Sequence, residues 1–170
     1  MRNFSRVILI GFLLFAGSLS AQTLKFGHID FNALLQVMPE TSKAQDDYNK
    51  FVKDLGDVYN DMTNEYNQKM NELQQLTQDT ATTEVKRNAK LEEVQTLQQR
   101  LDNYQQKAQT DMQNKQSELY QPIVQKAKDL VGQVAKENGL IYVFDSGTLV
   151  YFSNQSVDLL PLVKKKLGLQ

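Results

Sequence analysis

AQDDYNKFVKDLGDVYNDM, residues 44–62, carries apolar side chains at Ala44, Tyr48, Phe51, Leu55, Val58 and Met62. Spacings of four, three, four, three and four are those of a coiled-coil seam. The seam continues through Tyr66, Met70 and Leu73, where two successive fours drift toward an eleven-residue repeat and a straighter supercoil. Between Glu40 and Gln121 there is one Gly and no Pro, so nothing in the sequence halts a long helix.

Around Asp79-Thr80-Ala81-Thr82-Thr83-Glu84 the pattern stops. Asp and Thr are good helix caps, and Glu84 suits the first turn of a new helix. A second seam then runs Val94, Leu97, Leu101, Tyr104, Ala108 and Met112, followed by Leu119, Ile123, Ala127, Leu130 and Val134. Folding back near residue 80 sets Tyr48 by Met112, Leu55 by Tyr104, Val58 by Leu101, Met62 by Leu97 and Tyr66 by Val94. The two stripes match in register, which predicts an antiparallel helical hairpin over residues 40–122 with its tip near 77–84.

Residues 22–39 and 123–170 remain for a small β-rich body. Leu24 to Asp30 alternates as a strand does, and Leu140 to Phe144 and Leu149 to Phe152, joined by Ser146-Gly147, read as a β-hairpin. A last amphipathic segment, Leu159 to Leu167, predicts a short helix. Bodies below about 70–80 residues usually need a staple. With Cys 0 and one His, neither a disulfide framework nor a Cys/His zinc site, a Cys nucleophile or an iron–sulfur cluster is available. Self-association is then the natural staple, and the fold class is α+β: a long coiled-coil hairpin on a small β body that associates.

At the N-terminus, Arg2 and Arg6 precede an apolar run from Val7 to Ala16 and a small-residue exit ending at Ala21. This reads as a secretory signal over residues 1–21, too short to span a bilayer comfortably. No Cys follows, so a lipid anchor is not expected, and the product is expected to be exported and soluble. Without Arg2 and Arg6, 17 basic residues face 20 acidic ones, a net charge of −3. That balance does not point to a nucleic-acid binder. No Gly-x-x-x-x-Gly-Lys phosphate loop is present, no nucleophile or electrophile accompanies Asp30 and Asp145, and no cofactor is expected.

Phe26-Gly27-His28-Ile29-Asp30, Met38-Pro39-Glu40 and Lys43-Ala44 at one end, with Leu119-Tyr120-Gln121-Pro122-Ile123 and Val134-Ala135-Lys136-Glu137-Asn138-Gly139 at the other, resemble the opening and closing segments of the Skp/OmpH family of periplasmic chaperones. The resemblance covers essentially all of residues 22–170. It implies a homotrimer whose strands build a compact body and whose hairpins project around a cavity. There, unfolded outer-membrane proteins are held without ATP until they reach the outer-membrane insertion machinery. On that reading Phe26, Ile29, Ile141, Val143 and Val150 belong to the trimer body, Tyr59, Met62, Tyr66 and Met70 face the client, and Pro122, where the second arm re-enters the body, kinks or breaks the helix as a hinge.

The charge departs from well-known basic members: over residues 70–100, Lys86, Arg87, Lys90 and Arg100 face Glu72, Asp79, Glu84, Glu92 and Glu93. Contact with anionic membrane surfaces is therefore expected to be weak at most. Fourteen Gln between Gln68 and Gln125 supply a neutral polar exterior instead. Each conspicuous residue also has a plain structural role: His28 without a second His is a packing or surface residue, Asp30 and Asp145 are caps before they are an acid/base pair, and the hairpin Tyr and Met residues are largely seam. A coiled-coil spacer or adaptor of the envelope is the alternative function. The polar Thr-rich tip and drifting seam favour the chaperone.

Overall fold

The computed structural model describes residues 24–169, and the export segment expected at residues 1–21 lies outside the described residues. Strand β1 (Lys25–Ile29) leads into helix α1 (Phe31–Val37), then two long helices, α2 (Pro39–Gln78) and α3 (Glu84–Glu137). Strand β2 (Leu140–Asp145), a single 3-10 turn at Ser146–Thr148, strand β3 (Val157–Asp158) and helix α4 (Leu160–Lys166) complete the chain. The arrangement is α+β, mostly helical with one small parallel sheet.

Local chemistry sets the boundaries. The Asp30 carboxylate accepts from the Ala33 amide at 2.8 Å and caps α1. Pro39 occupies the first turn of α2, where its missing donor costs nothing. At the tip the Asp79 carboxylate accepts from the Ala81 amide at 3.0 Å and the Thr82 hydroxyl at 2.8 Å, closing the turn between the two arms. Just beyond the end of α3, Gly139 turns the chain with a φ of +66°, a left-handed conformation that favours a residue without a Cβ.

The sheet has the order β2-β1-β3, with both outer strands parallel to β1. This corrects the expected β-hairpin of Leu140–Phe144 with Leu149–Phe152. The returning helix α3 has 54 residues against 40 in α2, so it continues past the start of α2 and along the body, delivers the chain to the end where β1 begins, and lets β2 run parallel to it. Residues 149–152 form no strand; they belong to the return path that brings β3 in parallel on the other side. Their aromatic side chain at Phe152 stacks on His28 instead, ring centroids 4.0 Å apart.

Ile29, Leu34, Met38, Ile123, Ala127, Val134, Leu159 and Val163 form the core between the sheet's inner face, the root of α3 and the short helices. Gly27 is buried there: an added Cβ would collide with Leu159 Cδ1 and lie 2.7 Å from Leu140 Cδ1. Of the kink or local break expected at Pro122, the break is not found: α3 continues through it without interruption. Pro122 and Glu118, whose carbonyl loses its amide partner, are both exposed, so water can satisfy the freed oxygen.

Candidate functional site

Two surfaces stand out, one on the sheet and one along the hairpin. Side chains two apart on a strand share a face. Phe26 and His28 of β1 lie opposite Tyr142 and Phe144 of β2. The Phe26, Tyr142 and Phe144 rings are 6.1–6.4 Å apart, and His28 Nδ1 lies 2.9 Å from the Ser156 hydroxyl. These rings form the outer face of the sheet, and Phe26, Tyr142 and Phe144 remain 42%, 62% and 43% exposed.

Of the residues expected in the body interface, Phe26 lies on this exposed surface; Ile141, 47% exposed, alternates to the opposite face of β2 from Tyr142, and Val150 is fully exposed in the segment that follows. Ile29 and Val143 do not join Phe26. Ile29 is 2% exposed and packs in the core of the chain itself, with Val143 partly buried against the same core. The one-residue alternation from Phe26 to Ile29 puts the two on opposite faces. Sequence reading missed Tyr142, Phe144 and Phe152 as members of the aromatic face. The period of two along both strands carried that signal for Tyr142 and Phe144, whereas nothing local announced Phe152.

Asp30 and Asp145 are engaged as caps. Asp30 holds the Ala33 amide, while Asp145 Oδ1 accepts from the Gly147 amide at 3.1 Å and from the Phe31 amide at 3.4 Å. Such carboxylates are spent on backbone donors.

Along the hairpin, Val94, Leu97 and Leu101 are buried in the seam, and the Tyr104 hydroxyl donates to the Leu55 carbonyl at 3.1 Å. Tyr59 and Met70 are exposed, at 38% and 37%, while Met62 and Tyr66 are half-buried in the seam. The four candidate client-facing side chains are thus divided between surface and interior. Near the tip, four charges bridge the arms: Lys90 reaches Glu72 at 2.9 Å and Glu93 at 2.6 Å, and Lys69 reaches both carboxylates at 3.4 Å. Hydrogen bonds from Lys90 above all hold Glu72 and Glu93 below the usual carboxylate range, and the same bonds raise Lys90. At the root, Glu40 pairs with Lys126, whose hydrogen bond lowers the Glu40 carboxyl, and the Tyr120 hydroxyl donates to Gln45 at 2.9 Å. The i,i+3 spacing on each arm held the signal for the four-charge cluster, which sequence reading did not assemble.

Among the described residues no group of three or more His, Cys, Asp or Glu is placed to hold a metal, and no helix is long and apolar enough to cross a membrane. None of the curated proteins compared matches the chain. The family described as outer membrane protein (OmpH-like) matches residues 25–167, from the first residue of β1 to just beyond the end of α4. A match over that much of the chain takes in the sheet, both arms and the closing helix together, and the protein belongs to the OmpH-like family.

Proposed function

We propose that this protein is an ATP-independent holdase of the periplasm, a homotrimer that encloses unfolded outer-membrane proteins between three helical hairpins and keeps them from aggregating before insertion. Family membership supports the coarser statement, a chaperone role toward outer-membrane proteins rather than an enzymatic one. The observation that carries the finer reading is the aromatic face at the root of a long hairpin. Phe26, Tyr142 and Phe144 expose a contiguous apolar surface that Leu149 and Tyr151 border, more than a small isolated body is expected to leave in water. The six-residue β2 is also an edge strand of the three-stranded sheet, an open template for pairing.

Covering that face with other copies gathers the hairpins at one end and leaves a space between them. Their walls are rich in amide side chains and near neutral, suited to loose retention of a chain that must later leave. Delivery goes to the outer-membrane insertion machinery, with weak contact at most to the membrane surface. Pro122, at the root of the returning arm, is the pivot of this arrangement.

Sedimentation of the chain lacking residues 1–21, alone and with a urea-denatured outer-membrane β-barrel, tests assembly and function together. A mass of three chains, rising by one client with aggregation suppressed, is the expected result. A stable folded monomer at micromolar concentration overturns the trimer, and aggregation that proceeds unchanged overturns the holdase.

A further inference from the structure

Gly56 lies in the middle of α2 at an exposed position, where an added Cβ would meet no atom within 4 Å. A glycine inside a helix costs about 1 kcal/mol relative to alanine. Neither a positive φ nor a close neighbour calls for it here. Its bare backbone instead leaves open an apolar notch on the flank of the hairpin. Gly56 and the small Ala108 line it together with Val52, Tyr59, Tyr104 and Met112, around a volume of about 310 Å³. That is the small end of the ~300–1,000 Å³ range of ligand pockets, room for a side chain or two rather than for a folded partner.

We propose that this notch receives an aromatic or branched apolar side chain of an unfolded outer-membrane strand, an inference that rests on the chaperone reading above. No charged residue lines it, so it offers nothing to a phosphate or an ionic peptide. Two tyrosines and a methionine present broad, adaptable apolar contact. Strands of outer-membrane barrels carry an apolar side chain at every second residue and aromatic girdles near both ends, so each strand presents suitable occupants. A second hairpin is the poorer occupant. Lys53, Asp54, Asp57, Lys107 and Asp111 flank the notch along the two arms, and pressing two such exteriors together would desolvate their charges. The notch also lies 17 residues into α2, about 25 Å along the helix at 1.5 Å per residue, away from the aromatic face of the body.

Two substitutions at one position separate space from backbone freedom, and both replace glycine with a better helix former. Gly56→Ala stiffens the helix while leaving most of the notch open; Gly56→Leu stiffens it and fills the notch. Affinity is measured by fluorescence for a urea-denatured eight-stranded barrel, and for the same barrel with its outward-facing aromatic residues replaced by serine. Gly56→Ala should bind the first client within twofold of the unsubstituted protein, and Gly56→Leu five- to tenfold more weakly. For the aromatic-free client the two variants should bind alike.

Equal losses in both variants would assign the glycine to backbone flexibility and overturn the proposal. Unchanged binding by Gly56→Leu would overturn it as well, as would a change in sedimented mass, which would make a neighbouring copy the occupant. Failure of the unsubstituted protein to bind either client would instead overturn the chaperone reading itself, and the notch assignment with it.

Discussion

Gly27 and Asp30, three residues apart, show how little of this body can be exchanged. A Cβ at Gly27 would strike Leu159, which is fully buried, and come within 3.2 Å of the Val157 carbonyl oxygen, so relief would require moving β3. Gly27→Ala is expected to destabilise the body by about 1–3 kcal/mol, the usual cost of overpacking, read as a lower urea midpoint with an unchanged slope. Asp30 has a different job, holding the Ala33 amide at the start of α1. Asp30→Ala should cost about 1 kcal/mol, and Asp30→Asn, which retains an accepting oxygen, much less. An acid/base role would make the asparagine as damaging as the alanine to any turnover. A capping role separates the two variants in stability alone.

Between the arms, the charge cluster of Lys69, Glu72, Lys90 and Glu93 fixes the distal register where the apolar seam has already begun to drift. Glu72 and Glu93 titrate below their unfolded values, so their contribution is present above the unfolded carboxylate range and disappears as pH falls through the lowered folded values. Lys90 is raised, so its contribution is present below the unfolded lysine value and disappears as pH climbs through the raised one. The clasp is therefore complete from about pH 5 to pH 10 and weakens on both sides. Lys90→Gln at neutral pH should speed amide exchange near residues 69–76 and 87–94 several-fold, leaving the root protected, because exposed pairs act locally. Uniform exchange along the hairpin in the variant would contradict a local clasp. The hairpin itself was legible in its seam spacing, down to the apposition of Leu55 and Tyr104, because a helix writes its buried face into every three or four residues. Strand direction was not legible. Leu140–Phe144 and Leu149–Phe152 look alike as apolar runs, and only the run of α3 past the start of α2 and along the body sets the first parallel to β1, while the second stays unpaired. The aromatic face was half legible for the same reason: alternation marks Phe26, but its neighbours depend on which strands meet.

For the whole molecule, the proposed holding of a client can be divided between charge, enclosure and the body. Over residues 70–100 four cationic side chains face five anionic ones, and three of these nine, Glu72, Lys90 and Glu93, already pair with one another. The other six, Lys86, Arg87 and Arg100 against Asp79, Glu84 and Glu92, sum to zero, so no net charge is left to grip a client, and screening over about 8 Å at 0.15 M salt would weaken any such grip. Client affinity should accordingly change by less than about tenfold, or 1.4 kcal/mol, between roughly 0.05 and 0.5 M salt, and joint neutralisation of Lys86, Arg87 and Lys90 should act mildly. Enclosure makes the opposite demand, since arm length becomes decisive. Lys69 meets Glu93 and Glu72 meets Lys90, so replacing residues 66–96 with a short glycine-containing turn shortens both arms in register and removes the clasp intact. The shortened protein should still sediment as three chains, because its sheet and aromatic face are untouched, yet fail to keep a large barrel from aggregating. Retained protection would place client holding on the body, a steep loss of affinity with salt in the full-length chain would place it on charge, and loss of the trimer would mean that the arms themselves hold the assembly together.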